Sequence, residues 1–169
     1  MELTDKIYSD WDKLEIALNQ RRSAGERIVA TNGCFDLLHL GHVRYLHAAR
    51  ELGDCLVVGL NSDRSVRQLK GVGRPINPQE ERAEMLAALS SVSYVAIYDE
   101  ETAHNLLKRI RPDIYVKGGD YTPGVIPEAP LVRSMGGKVV VTPLVPGRST
   151  TQMLERLAAE ELAKLMCEE

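Results

Sequence analysis

The sequence predicts the α/β fold class, with a doubly wound parallel sheet of five strands at its centre. Short apolar runs alternate with segments of helical spacing along almost the whole chain, and this alternation favours right-handed crossovers between parallel strands. One run, residues 54–60, is almost entirely apolar, as a strand buried on both faces requires. Because 169 residues suffice for one sizeable core, we predict a single domain over residues 1–169. In it, a helical extension of residues 1–26 precedes the core of residues 27–166.

The five predicted strands are short runs rich in apolar and β-branched residues. They are residues 28–33, 54–60, 94–98, 113–117 and 136–142. The first run breaks at Gly33, where a tight turn is expected. The fourth begins just after Pro112, which ends the preceding helix.

Helices are predicted before, between and after these strands. They cover residues 9–23, 40–52, a segment from 61, a segment from 78, 101–110, 127–135 and 150–166. Ser9 can cap the first helix and Gly25 can end it. In the second, apolar residues recur at three-residue steps from Leu40, which is typical of an amphipathic helix. Asn77 and Pro78 provide a cap and a first helical residue for the fourth.

Ligands of a Rossmann-like sheet of this kind bind at the carboxyl ends of the strands. Four stretches with unusual chemistry are expected to reach this edge. They are residues 31–42, 61–82, 117–121 and 146–151. We predict that the ligand site lies where they meet.

The first stretch carries two histidines at the start of a helix. His39 and His42 are three residues apart, so both rings project to one side, over backbone N–H groups that a helix start leaves unpaired. Such a pair could also cap the loop, bind a metal or lie on the surface. The remaining histidines and carboxylates show no ligand-like spacing for zinc. Gly33 and Gly41 would let a phosphate approach the backbone, and they favour a phosphate site.

The other three stretches each allow a structural and a functional interpretation. Residues 70–78 form a glycine- and proline-rich loop with the cations Lys70 and Arg74, which are either solvated or poised over a ligand; we expect this loop to be mobile until ligand binds. The glycines that follow Lys117 either form a turn or admit a base or phosphate. The hydroxyls of residues 149–151 either cap the last helix or cradle a second phosphate.

Composition excludes several classes of protein. A net charge of −3 provides no basic footprint for nucleic acid. The three cysteines have no C-x-x-C spacing, which argues against a disulfide framework or a zinc ribbon. The N-terminus lacks the organisation of a signal peptide, and no apolar run approaches the roughly 20 residues of a membrane span. We therefore expect a cytoplasmic protein without a nucleic-acid or membrane partner.

Several motifs together carry a resemblance to a known family. The motif from His39 to His42 is the H-x-G-H signature shared by cytidylyltransferases, pantetheine-phosphate adenylyltransferase and class I aminoacyl-tRNA synthetases. The full set of motifs is residues 33–36, 39–42, 61–63, 69–71, 74–78, 116–121 and 147–151. With these, the chain resembles the adenylyltransferase domain of the bifunctional heptose enzyme of lipopolysaccharide synthesis, within the cytidylyltransferase-like nucleotidyltransferase superfamily.

The resemblance implies transfer of AMP from ATP to D-glycero-β-D-manno-heptose 1-phosphate, giving ADP-heptose and pyrophosphate. It implies that His39, His42 and Lys70 are catalytic. The positions implied to bind nucleotide are Asn32, Gly33, Cys34, Phe35, Gly41, Arg82, Lys117, Gly118, Asp120, Ser149, Thr150 and Thr151. Arg82 and residues 149–151 would hold the β and γ phosphates, and Cys34 is interpreted as a small packing residue.

The resemblance also implies a cofactor, a source of the substrate and alternative functions. Mg²⁺ would be held mainly by ATP oxygens and water, so no protein residue is predicted as a metal ligand. A separate heptose kinase is expected to supply the substrate, and a homodimer is left open. Within enzymes, the alternative is a cytidylyltransferase or an FAD synthetase with another phosphorylated acceptor. Outside enzymes, it is a nucleotide-sensing module that has kept the fold.

Overall fold

The computed structural model describes residues 2–119 and 125–143, together with residues 150, 153, 154 and 159. Its centre is a parallel sheet of six strands in the order β1-β4-β3-β2-β5-β6. The strands are β1 (Ile7–Tyr8), β2 (Ile28–Gly33), β3 (Cys55–Asn61), β4 (Tyr94–Tyr98), β5 (Ile114–Gly118) and β6 (Lys138–Thr142). The α/β doubly wound class is confirmed, and the predicted count of five strands is corrected to six.

The additional strand is the short β1 at one edge of the sheet. Ile7 pairs with Val95 and Tyr8 with Ala96, in parallel register. Two residues cannot display the alternation by which a half-buried strand is recognised in a sequence. For that reason, the segment before the first helix was interpreted as part of a helical extension.

A 3₁₀ helix (Leu3–Lys6) and six α-helices have described bounds, and most of the α-helices lie where the sequence predicted them. The α-helices are α1 (Trp11–Ser23), α2 (Leu40–Arg50), α3 (Asp63–Lys70), α4 (Gln79–Ala87), α5 (His104–Ile110) and α6 (Ala129–Ser134). Asp10 replaces Ser9 as the cap of α1, since its side chain accepts the backbone N–H of Asp12 at 3.0 Å. Pro78 is the N-cap of α4, where the sequence had suggested Asn77. Most of the predicted helix over residues 150–166 lies outside the described residues.

Apolar side chains cover both faces of the sheet. On one face, residues such as Ile28 and Val57 pack in a buried cluster with α1, α5 and α6. On the other face, residues such as Val29 and Val58 pack with α2 and α4. Every residue of β3 is buried, as predicted for a central strand.

The strand order reverses direction at β2. From β2 the chain first builds outward through β3 and β4, and it then returns to place β5 on the other side of β2. The connections that follow β2 and β5 therefore diverge and leave a crevice at the carboxyl edge between them. Eleven of the sequence-predicted site residues line a cavity at this edge.

Candidate active site

A cavity of about 640 Å³ lies at the carboxyl ends of β2 and β5, a size typical of small-molecule sites. Eleven of the predicted site residues line it. They are Asn32, Gly33, Cys34, Phe35, His39, Gly41, His42, Lys70, Lys117, Gly118 and Thr150. Arg82 lies elsewhere, and Asp120, Ser149 and Thr151 lie outside the described residues. Elements far apart in sequence thus converge on one cavity.

The two histidines lie against each other at the start of α2. Their rings stack with centroids 3.8 Å apart and an interplanar angle of 19°. His39 is the N-cap of α2, and its Nδ1 accepts the backbone N–H of His42 at 3.3 Å. Because Nδ1 is an acceptor, we infer that the neutral His39 ring carries its proton on Nε2. The alternative interpretation of this histidine as a cap is therefore correct for its Nδ1 atom.

His42 is held between two aromatic neighbours. The Phe35 ring meets it edge-on with centroids 5.1 Å apart, opposite the stacked His39. Its Nδ1 is buried and has no hydrogen-bond partner among the described residues. Burial, followed by the charge of His39, lowers the pKa of His42 from 6.5 to about 4. His42 is therefore a neutral donor at pH 7 before ligand binds.

The turn after β2 is shaped by a strained phenylalanine. Phe35 has a φ of 44°, a left-handed conformation that bulky residues rarely adopt. A Cβ at Gly33 would lie only 3.0 Å from the Phe35 ring. Gly33 thus makes room for an aromatic ring that supports His42, rather than serving only the approach of a phosphate.

Asp36 anchors the loop between α3 and α4. It is 2% exposed, and its Oδ1 accepts the backbone N–H groups of Ile76 at 2.6 Å and Asn77 at 3.4 Å. Its Oδ2 pairs with the Arg74 side chain, and its carbonyl accepts from the Asn77 side chain at 3.1 Å. Arg74 also lines the cavity. These bonds hold residues 74–77, so movement of the loop on ligand binding, which stays a prediction, is expected in residues 71–73, where Val72 is fully exposed.

Lys70 is the last residue of α3, directly before Gly71 with its φ of +90°. Its side chain is exposed and lines the cavity, close enough to Cys34 to lower the pKa of that thiol. Burial outweighs this effect and raises the pKa of Cys34 above its usual value. The thiol is therefore protonated at pH 7, in agreement with its interpretation as a packing residue.

Arg82, which the resemblance implies to hold phosphate, is not among the residues that line the cavity. Its side chain is completely buried. The guanidinium donates to the carbonyl groups of Cys34 at 2.6 Å, Asn61 at 2.9 Å and Asn77 at 3.0 Å, and it pairs with Asp63 at 2.8 Å. Those contacts use four of its five N–H donors and join the turn after β2, the end of β3 and the start of α4. These contacts are those of a positioning residue, and the predicted contact of Arg82 with phosphate stays a prediction.

A chain of hydrogen bonds crosses the floor of the cavity. Asn32 Oδ1 accepts from Tyr115 at 2.5 Å and from Lys117 Nζ at 2.8 Å. Its Nδ2 donates to the Tyr98 hydroxyl at 2.7 Å, which in turn donates to Asn61 at 2.9 Å. Burial lowers the pKa of Lys117 and raises that of Tyr98 above its usual range. Four neighbouring strands are thus joined at the cavity.

Sequence reasoning missed three residues of this site. Asp36 stood inside a recognised motif, but its partners are about 40 positions away in the chain. Tyr98 ends a predicted strand, and only the strand order shows that this end reaches the cavity. Glu128 lines the cavity from the segment before α6 and had no local signal.

The described part of the chain lacks both a metal-binding cluster and a membrane-spanning helix. It contains no group of three or more His, Cys, Asp or Glu residues arranged to hold a metal ion. None of its helices combines the length and the apolar character needed to cross a membrane.

Comparison with known proteins gives one family match and a consistent set of relatives. The model of the family described as Cytidylyltransferase-like matches residues 30–157. The bifunctional protein HldE of Syntrophotalea carbinolica is 54% identical over 146 residues, which are 86% of this chain and 30% of that protein. HldE of Methylobacillus flagellatus is 52% identical over 155 residues, covering 92% of this chain and 32% of that protein. The chain spans about a third of the length of these curated relatives.

Two solved structures share the architecture. The lipopolysaccharide core biosynthesis protein of Thermoplasma volcanium superposes with a TM-score of 0.59 at 29% identity, covering 72% of this chain and 98% of that one. Pantoate-beta-alanine ligase of Francisella tularensis, complexed with an ATP compound and beta-alanine, gives a TM-score of 0.60 over 85% of this chain and 68% of that one. At 15% identity, the latter similarity concerns the fold alone.

Proposed function

The chain belongs to the cytidylyltransferase-like family, and from this premise we propose that it transfers AMP from ATP to D-glycero-β-D-manno-heptose 1-phosphate. The products would be ADP-heptose, destined for the lipopolysaccharide core, and pyrophosphate. Identities of 54% and 52% to two HldE proteins support the choice of acceptor. The similarity in sequence and fold to a lipopolysaccharide core biosynthesis protein supports the pathway.

One observation carries the proposal: His39 and His42 stack at the start of α2 on the wall of a cavity that Lys70 also lines. Adenylyl transfer requires in-line attack of the sugar phosphate on the α-phosphorus of ATP, with no covalent step on the protein. Positioning and stabilisation of charge must then supply most of the catalysis. Two imidazole donors and an ammonium around one cavity provide these effects.

We assign the roles as follows. His39 Nε2–H and the His42 ring would donate to the phosphates of ATP, where negative charge increases in the transition state. Lys70 would bridge the attacking phosphate and the α-phosphate, since its flexible stem lies beside the turn at Gly71. Gly41, buried in the first turn of α2, would let phosphate oxygens approach the helix backbone. Arg82 would support this arrangement from behind.

The remaining nucleotide contacts also stay proposals. Thr150 lines the cavity, and its Oγ1 lies 3.4 Å from the Leu37 carbonyl oxygen, so it could turn to the leaving pyrophosphate. Mg²⁺ would neutralise charge on that group when bound. The cavity carboxylate of Asp36 is engaged with Arg74, and the described residues form no metal cluster, so phosphate oxygens and water are its expected ligands. We propose a cytoplasmic reaction whose heptose 1-phosphate is made by a kinase activity outside residues 1–169.

A pyrophosphate-release assay tests the proposal. Purified protein with Mg²⁺ is given ATP or CTP, each with heptose 1-phosphate, mannose 1-phosphate or glycerol 3-phosphate. We expect turnover with ATP and heptose 1-phosphate to exceed every other pair, and His42→Ala gives the background from contaminating enzymes. A preference for CTP or for glycerol 3-phosphate would replace this assignment by another transferase of the same family. Inertness towards every pair, with ATP still bound, would favour a nucleotide sensor.

A further inference from the structure

Glu128 is a buried carboxylate in the cavity wall that the phosphate chemistry does not use. It is 4% exposed and lines the cavity with its neighbours Ile126 and Pro127. Its Oε2 atom is buried and has no hydrogen-bond partner among the described residues. Leaving a buried charged acceptor unsatisfied is costly, so such a group in a ligand cavity calls for a donor from the ligand.

Lys117 lines the same cavity as Glu128. Burial lowers the pKa of Lys117, and the negative charge of Glu128 opposes that effect. Lys117 Nζ donates one hydrogen bond to Asn32 Oδ1, which leaves two of the three ammonium protons available for other acceptors. The wall of one cavity thus presents a negatively charged acceptor before α6 and a positively charged donor on β5.

The neighbouring network cannot satisfy either group in full. Asn32 Oδ1 already accepts two hydrogen bonds, from Tyr115 and from Lys117. The hydroxyl of Tyr98 donates to Asn61 and accepts from Asn32. The Tyr115 hydroxyl also lies against the Glu128 carboxylate, but its one proton is donated to Asn32. The Glu128 Oε2 atom and two protons of Lys117 are therefore left for other partners.

Two adjacent hydroxyl groups match this pair. A hydroxyl can donate to a carboxylate while its neighbour accepts from an ammonium, and these charge-assisted hydrogen bonds are the stronger kind. An additional phosphate is a poor match, because a buried carboxylate repels it. The pair thus differs in chemistry from the side of the cavity formed by His39, His42 and Lys70.

We propose that Glu128 and Lys117 form a subsite for the vicinal diol of a bound sugar, a specificity element that rests on the proposed sugar-nucleotide chemistry. A diol is offered by two sources, the acceptor sugar and the ribose of the nucleotide. The subsite requires that one of them loses affinity when the Glu128 carboxylate is replaced by an amide, which accepts without charge.

Titration calorimetry on Glu128→Gln separates these sources. If the diol belongs to the acceptor, affinity for heptose 1-phosphate falls roughly tenfold or more, while affinity for ATP stays within twofold. If it belongs to ribose, affinity for ATP falls by that factor, and 2′-deoxy-ATP shows the same loss in the wild-type protein but none further in the variant. Glu84→Gln, at an exposed position on α4 away from the cavity, is the matched control and keeps both affinities.

A second variant guards against a folding defect. Lys117→Gln should weaken binding of the same ligand as Glu128→Gln, with circular dichroism and melting temperature reported for both. Variants that fold and bind both ligands within twofold of wild type overturn the subsite. Wild-type protein that binds sugar phosphate through Glu128 but releases no pyrophosphate would contradict the proposed function and leave the subsite supported. Wild-type protein that binds neither ligand overturns both.

Discussion

His39 caps the helix whose first turn carries His42, and the two imidazole rings stack 3.8 Å apart. His39 therefore contacts His42 twice, through a hydrogen bond to its backbone N–H and through the stacked ring. The neutral His42 ring is further fixed by Phe35. Such preorganisation is what a donor needs if it is to act on charge that develops only in the transition state.

His42→Ala should lower turnover by roughly a hundredfold or more, with a smaller loss of ATP affinity. The reason is that a donor aimed at the α-phosphate acts most strongly when the charge on that group peaks. Steady-state rates and ATP titrations measure the two effects separately. His47→Ala is the control, because His47 is exposed in the last turn of the same helix and does not line the cavity. Near-wild-type turnover in His42→Ala would remove this residue from the mechanism.

The pKa of His42 should depend on ligand. Burial and His39 hold it near 4 in the free protein, and bound phosphates should raise it by stabilising the imidazolium. Histidine ring resonances followed by NMR between pH 3 and 8, with and without ATP, give both values. A free-protein pKa close to 6.5 would contradict the packing around this ring.

The same pKa has a consequence for stability. Because the folded protein binds the His42 proton less readily than the unfolded chain does, this contribution is fully present above pH 6.5 and is lost as the pH falls towards 4. Thermal unfolding of wild type and His42→Gln across this range isolates it. The stability of the variant should fall less steeply with decreasing pH.

Arg82→Met should destabilise the fold by about 3 kcal/mol or more, because it leaves Asp63 without its partner and three carbonyl groups without their donor. Denaturant unfolding without ligand measures the loss. Arg64→Met is the control: Arg64 is exposed and pairs with Asp99 at the surface, so the change should stay within about 0.5 kcal/mol. If Arg82→Met kept its stability and lost only ATP affinity, Arg82 would be a phosphate ligand after all.

The positions of His42 and Arg82 differ in how well the sequence alone could predict them. The histidine pair could be predicted because its geometry is local: two rings three residues apart at a helix start must share a side. The fate of Arg82 depends on carbonyl groups at residues 34, 61 and 77, which only the packed fold brings together. From the sequence alone, a cation on a helix near the predicted site could equally contact a ligand or be buried in hydrogen bonds to the backbone.

The sequence also predicted some features of the fold and missed others. The alternation of apolar runs and helical segments predicted the sheet, its parallel sense and the edge where ligands bind. The pairing of β1 with β4 was not predicted, because a strand of two residues is too short to show an alternation of apolar and polar residues. Glu128 was not predicted as a site residue for another reason. It stands out because its buried Oε2 atom has no hydrogen-bond partner among the described residues, and this depends on three-dimensional packing.

The loop between α3 and α4 should close over ligand through its free portion alone. Asp36 holds residues 74–77, so residues 71–73 remain as the accessible part. Elastase should cut after the exposed Val72, and ATP with heptose 1-phosphate should slow the cut. Asp36→Asn should speed cleavage of the free protein, because a neutral amide holds Arg74 less well. Equal rates with and without both ligands would contradict closure.

Lys70→Met and Lys70→Arg should both lose most of their turnover, although only the first removes the charge. Lys70 ends α3 at the cavity, beside a glycine that gives the following chain freedom. A bridge between two phosphates requires a compact ammonium with rotatable donors, whereas guanidinium is planar and wider. The control is Lys108→Met, on an exposed position of α5 outside the cavity, which should leave rates unchanged. Rates at saturating ATP and heptose 1-phosphate decide the matter, and a Lys70→Arg enzyme with nearly full turnover would reduce Lys70 to general electrostatic attraction.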